Sequence, residues 1–160
     1  MASVVRAATP ADVAQMHDMI VELAEFEKAA HEVSATKDDL HEALFGGASL
    51  FAHVIDSPDG DGLAGMAIWF LNYSTWDGRH GIYLEDLYVR EKYRGQGFGN
   101  LLLKKLASIC TERGYTRFQW WVLNWNQPAI DVYTKIGAVP MDEWIVYRLT
   151  GDALDTFAVN

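Results

Sequence analysis

The stretch from Val89 to Gly99, Val-Arg-Glu-Lys-Tyr-Arg-Gly-Gln-Gly-Phe-Gly, limits the folds open to this chain more than any other segment. A run rich in β-branched and aromatic residues, Ile82 to Val89, ends there and predicts a strand. A helix is predicted from about Gly97 to Arg113, with Leu101, Leu102, Leu106 and Ile109 apolar and Gly114 closing it. Between them lies a loop of glycine and basic residues. Glycine takes up positive φ and lets main chain approach a ligand closely. Consecutive N–H groups at such a bend, together with the positive end of the helix, form an anion cradle, and Arg94 adds a charged contact. A diphosphate is the ligand this chemistry suits, and a plain structural turn is the alternative. The dinucleotide pattern fails because Leu102 stands where its third glycine belongs, and no Gly-Lys-Ser/Thr follows to make a P-loop.

The other elements can be read around this unit. Thr9-Pro10-Ala11-Asp12 predicts a helix start, followed by Val13, Met16, Ile20, Leu23 and Ala24 at helical spacing to about Glu27. Thr36-Lys37-Asp38-Asp39 repeats the cap before a second short helix that Gly46-Gly47 ends. Leu50–Ile55 and Leu63–Tyr73 read as a hairpin pair joined by a turn-rich connection. Phe118–Leu123 reads as a buried strand, Asn126-Gln127-Pro128 opens a helix ending near Gly137, and Trp144–Leu149 reads as a last strand. Helices, a meander, then strand–helix–strand–helix–strand predict a single α/β domain over residues 1–160, its sheet mixed and mostly antiparallel and flanked by helices.

Composition narrows the function. The formal net charge is −9, which argues against a nucleic-acid partner and favours cationic ligands where acids converge. No apolar run is long enough to span a bilayer, and Met1 to Val5 lacks the start of a secretory leader. With one cysteine, Cys110, no internal disulfide can form, and a cytoplasmic setting is expected. Cys110 falls in the apolar register of the long helix and reads as core. His17, His31, His41, His53 and His80 form no metal-spaced pair, so no metal is expected.

Arg94-x-x-Gly97-x-Gly99 after a strand, together with Asn126-x-x-Ala129-x-x-x-Tyr133-x-Lys135-x-Gly137-Ala138, resembles the paired motifs of the GNAT acetyltransferase superfamily. Five further segments resemble its diamine (spermidine/spermine) and thialysine N-acetyltransferase branch. They are Arg6–Asp12, Glu22–Glu27, Tyr83–Val89, Tyr93–Gly99 and Trp125–Tyr133. The resemblance implies a GNAT fold, acetyl-CoA as co-substrate, a small cationic amine as acceptor, and a homodimer. With Cys110 read as core and not as a nucleophile, direct attack by the amine in a ternary complex is expected. Other acceptors, such as a protein N-terminus or an antibiotic amine, and a CoA-binding sensor without turnover, remain the alternatives.

The resemblance also implies roles. Arg94, Gly95, Gln96, Gly97, Phe98, Gly99 and Asn100 hold the diphosphate, while Leu87, Tyr88 and Val89 line the pantetheine arm. Asn126, Gln127, Pro128 and Ala129 add contacts to the cofactor. Tyr133 is the general acid at the departing thiolate. An alkylammonium has a pKa near 10.4, so it must lose a proton before it can attack. Glu85 is assigned that base role, through a water, and also anchors the cation. Strand alternation sends Glu85 and Asp86 to opposite faces, leaving Asp86 as a supporting acid. Phe26, Glu27, Gln119, Trp120 and Trp121 are expected on the substrate side. The branch carries an acid where this chain has Ser74, and Asp77 is the candidate replacement.

Overall fold

The computed structural model describes residues 4–47 and 49–159. These form two compact units that divide after Trp121. The first contains β1 (Val5–Ala7), α1 (Val13–Phe26), α2 (Lys37–His41), β2 (Phe51–Asp56), β3 (Leu63–Ser74), β4 (Arg79–Val89), α3 (Phe98–Arg113) and β5 (Phe118–Trp120). The second contains α4 (Gln127–Lys135) and α5 (Gly151–Val159).

The five strands lie in chain order. β1 through β4 pair antiparallel, and β5 joins β4 in parallel. A parallel neighbour requires a crossover, and α3 provides it. This is the mixed, mostly antiparallel sheet with flanking helices read from the sequence.

Each face of the sheet buries one helical layer. On one face Val13, Met16 and Met19 of α1, with Leu40 and Leu44, close over Val54, Met66, Ile68 and Tyr88. On the other, Gly65 sits beside Leu102 of α3, where an added Cβ would come within 3.5 Å of that side chain. Trp69, two pairs along on the same face, lines a cavity of about 380 Å³ with Lys105 and Ile109 of α3. Within it the Trp69 indole N–H donates to His53 Nδ1 at 3.1 Å, and burial lowers the His53 pKa to about 4.

The predicted helix starts form. The Thr9 amide and hydroxyl donate to Asp12 at 2.7 and 3.0 Å, and Thr36 and Asp39 make the equivalent box. Arg6 clamps Asp12 with both terminal nitrogens and reaches Asp56, tying β1, β2 and the head of α1 together. This pairing holds the Asp12 carboxyl below its ordinary range. The far end of α1 closes with Lys28 N–H to Glu25 O (3.1 Å) and Ala29 N–H to Ala24 O (2.8 Å). That closure puts Lys28 at φ +62, a conformation costing a side-chain-bearing residue about 1 kcal/mol relative to glycine.

Three expectations are corrected. β5 ends at Trp120, short of Leu123. Among the described residues of the second unit, 144–149 do not form a strand, because no ladder partner pairs with them there. The second unit instead ends in α5, which the sequence reading did not include. Cys110 is buried on α3, as read, with its thiol pKa pushed up by desolvation.

Candidate active site

The β3–β4 ladder has one irregularity, and it falls among the candidate residues. Asp86 pairs with Ile68, whereas the next pair is Trp69 with Leu84, so Glu85 is an extra residue on β4. This is a β-bulge. Tyr83 pairs with Phe70 and Asp86 with Ile68, both on the face that α1 covers, while Leu84 pairs with Trp69 on the α3 face. The expectation that alternation separates Glu85 from Asp86 is therefore corrected, because the bulge interrupts the period of two. Asp86 is raised to about 6, first by burial and then by the negative charges of Glu85 and Glu27. Glu27, at the end of α1, is itself raised by partial burial. The charges of Glu85 on the same strand and of Glu27 at the end of α1 thus both bear on Asp86 at the bulge. The β4–β5 ladder covers Ile82, Tyr83 and Leu84 and stops beside it.

Tyr88 continues this face. It is 8% exposed, and burial together with a hydrogen bond to Glu22 raises its pKa. The Arg94 guanidinium lies 5.5 Å from the Phe26 ring centroid and 5.6 Å from that of Tyr88, and its Nε donates to Val89 O at 3.0 Å. Arg94 therefore links the start of the glycine loop to the end of α1. Arg90 braces the same region through Glu22 (3.2 Å), Gln15 (3.1 Å) and Leu63 O (3.1 Å).

The loop has the conformation its glycines allow. Gly95 and Gly97 sit at φ +77 and +81, and a Cβ on either would meet nothing within 4 Å. Gly97 occupies the N-cap position of α3 with no side-chain cap. Among the described residues, none of the amides of residues 95 to 100 donates to a protein acceptor, the first such bond being Leu101 N–H to Gly97 O. This is a row of donors at a helix N-terminus with no side chain over Gly95 or Gly97.

In the second unit Asn126 precedes α4, Pro128 lies in its first turn, and Gly137 at φ +89 ends it. The Asn126 side chain makes no cap bond, although its carbonyl accepts from Ile130 N–H at 3.1 Å. Asn126 and Tyr133, two turns apart, share one face of this segment. Gln127 is engaged within the helix, donating to Asp131 at 2.7 Å.

The remaining candidates divide. Gln119 pairs in register with Tyr83, and Trp121 meets the Tyr83 ring edge-on at 5.9 Å, so both belong to the α1 face. Trp120 pairs with Leu84 and packs against Phe118 at 4.8 Å, on the other face, because three successive strand residues cannot share a side. Asp77 accepts from the Thr116 hydroxyl at 2.8 Å, and its amide donates to Ser74 Oγ at 3.1 Å. It secures the β3–β4 turn instead of joining the carboxylates at the bulge. Among the described residues no group of three or more His, Cys, Asp or Glu is placed to hold a metal, and no helix is long and apolar enough to cross a membrane.

The model of the acetyltransferase (GNAT) family matches residues 15–138. A thialysine N-epsilon-acetyltransferase of Mus musculus is 37% identical over 164 residues, covering 96% of each chain. An L-ornithine N5-acetyltransferase of Arabidopsis thaliana is 32% identical over 198 residues, covering 96% of this chain and 87% of its own. The fold is shared with an integron cassette protein from the mobile metagenome of V. cholerae, at a TM-score of 0.82 and 22% identity, with 100% of this chain and 99% of that one covered. The matched stretch takes in the end of α1, the bulged strand, the glycine turn and the α4 tyrosine, and the relatives run almost the full length. This chain therefore belongs to the GNAT family and is an N-acetyltransferase.

Proposed function

We propose that the enzyme transfers the acetyl group of acetyl-CoA to a primary amine of a small cationic substrate, a diamine, polyamine or thialysine-like amino acid. The observation that carries this reading is the Glu27–Glu85–Asp86 group at the β4 bulge, with Asp86 raised to about 6. A cationic acceptor neutralises such a group, and its repulsion turns into binding. A carboxylate with a pKa near neutrality is also better matched to receiving a proton than one near 4. The base and cation-anchor role falls to Glu85, with Asp86 beside it as a supporting acid. Gln119 and Trp121 share their face of the sheet, and Phe26 stands beside Glu27.

The donor set suits the co-substrate. The amides of residues 95 to 100 form a cradle with the charge complement of a diphosphate, while the main chain of Leu87, Tyr88 and Val89 has the pairing groups an amide-bearing arm needs. Asn126, Gln127, Pro128 and Ala129 complete the contacts, and Tyr133 supplies the proton for the departing thiolate. Acetyl-CoA contributes a thioester carbon open to attack by a free amine. The residues of the chain hold both partners, remove a proton at the amine and return one at sulfur. A homodimer in the cytoplasm completes the reading. It is supported by likeness to the branch and by a lone buried cysteine that needs no oxidising compartment.

Thiol release from acetyl-CoA, measured across diamines, lysine analogues and short peptides, tests the proposal. Turnover of the small amines is expected. Peptides as the preferred acceptors would point to a protein N-terminus, and tight acetyl-CoA binding without turnover of any amine would leave a sensor.

A further inference from the structure

We propose that the cavity of about 380 Å³ between the start of β2 and the C-terminal half of α3 binds a small aromatic carboxylate. It stands apart from the acceptor and acetyl-CoA sites. Trp69 lines it on the α3 face of the sheet, whereas Asp86 lies on the α1 face. Lys105, also on its lining, is about 12 Å along the helix from Gly97 at the glycine turn.

The walls suit a planar ring. Phe51 and Trp69 stack at 4.7 Å and 26°, and the His53 ring lies nearly parallel to Trp69 at 5.9 Å and 21°. All three line the cavity. Trp69 is only 2% exposed, while Phe51 and His53 are half-buried, so the open ring surface is theirs. Aromatic surface of this kind takes a further planar apolar group. The volume is at the lower end of the range for small-molecule sites, about 300 to 1,000 Å³, which suits one or two rings.

The charge selects an anion. Lys105 and Arg113 both line the cavity, and neither forms an ion pair with a described residue. A helix end attracts a cation, which is reason enough for Arg113, but Lys105 stands two turns earlier. The His53 ring reports the sign of the local field. Its proton is disfavoured by burial first and then by the charges of Lys105 and Arg113. That positive field exists with Glu112 on the same lining and a net charge of −9 on the chain. Because His53 Nδ1 accepts from the Trp69 indole, the neutral ring carries its hydrogen on Nε2. This N–H donates to no described residue. An imidazole N–H, an ammonium and a guanidinium on one lining are the donor set of a carboxylate site, and they repel a cation.

Titration of the full chain, with CoA present at saturation, tests the proposal. The probes are naphthoate, its neutral amide and naphthylmethylamine, followed by calorimetry and by the amide resonances of Phe51 and His53. Naphthoate should bind and shift those resonances, the amide should bind roughly tenfold more weakly or worse, and the amine should not bind. Lys105→Gln and Arg113→Gln should each weaken naphthoate by roughly five- to tenfold, with melting temperature and thiol release from acetyl-CoA unchanged. Lys105→Arg should retain most of the affinity. Equal binding of naphthoate and its amide overturns the anion site, as does affinity that survives both glutamine variants. Inorganic phosphate that displaces naphthoate at equal concentration overturns the need for a ring. Binding seen only without CoA assigns the carboxylate to the glycine turn and overturns the cavity, and no binding of naphthoate at millimolar concentration overturns the proposal outright.

Discussion

Asp86 lies opposite Ile68 on the α1 face of the sheet, while Leu84, only two residues earlier, lies opposite Trp69 on the α3 face. In an unbroken strand these two side chains would share a side. The extra residue between them is Glu85. One inserted backbone unit therefore turns a carboxylate into a half-buried setting beside two others, and desolvation there lifts it to about 6. The apolar Leu84 keeps its place in the second core.

Asp86→Asn should stabilise the protein while disabling it. The folded-state pKa of about 6 exceeds the ordinary 3.8, so the folded form binds the proton more tightly. Ionisation of Asp86 then opposes folding progressively as pH rises from about 4 to 6, by at most about 3 kcal/mol. Melting curves should show the variant above wild type at pH 7 and level with it near pH 3.5, with kcat/KM for amines reduced. An equal offset at both pH values would remove the electrostatic explanation.

Glu85→Gln should move the optimum of kcat/KM for the amine upward in pH. The amine must then arrive already deprotonated, and its own pKa lies near 10.4. The Glu85 side chain is exposed, so thermal stability should change little. A pH profile superimposable on that of wild type would argue against the base role.

Gly97→Ala should weaken acetyl-CoA binding specifically. A Cβ at this position meets no neighbour within 4 Å, so the penalty is the left-handed φ of +81 alone, about 1 to 2 kcal/mol. Relaxing that strain re-aims the first amides of α3. The KM for acetyl-CoA should rise and the KM for the amine should hold, as read from steady-state kinetics with each substrate varied. Parallel loss of both affinities would point instead to general unfolding.

Tyr133→Phe should lower kcat by roughly 100-fold, the usual worth of a positioned acid, with acetyl-CoA affinity nearly intact. Calorimetric titration with CoA and a melting curve separate the roles. A variant that loses several degrees of stability along with its activity would show Tyr133 to be a packing residue.

Much of the scaffold is legible along the chain because its signals are local. The Thr9–Asp12 and Thr36–Asp39 boxes are each made of residues three apart, so cap and sequence pattern coincide. The glycine turn and α3 follow for the same reason, since φ at Gly97 and Gly114 depends on the residue itself. β5 and residues 144–149 were harder, because a strand exists only where a partner pairs with it, and the apolar content of 121–123 and 144–149 does not specify one. Trp120 illustrates the limit within the site: its neighbours Gln119 and Trp121 share a face that the strand period denies it.

The helix caps, the positive-φ glycines and the row of amides at residues 95 to 100 follow from local sequence. It also supplied the family motifs that pick out Glu85, Arg94 and Tyr133. All of these are properties of residues a few positions apart. A bulge in this strand follows from the family resemblance, but folding alone fixes Glu85 as its extra residue and brings the charge of Glu27 to bear on Asp86, whose proton is held to about pH 6. Register depends on how two strands align, and desolvation on what covers them. Both are set by residues distant in the chain, such as Ile68 and Glu27, that meet only when it folds.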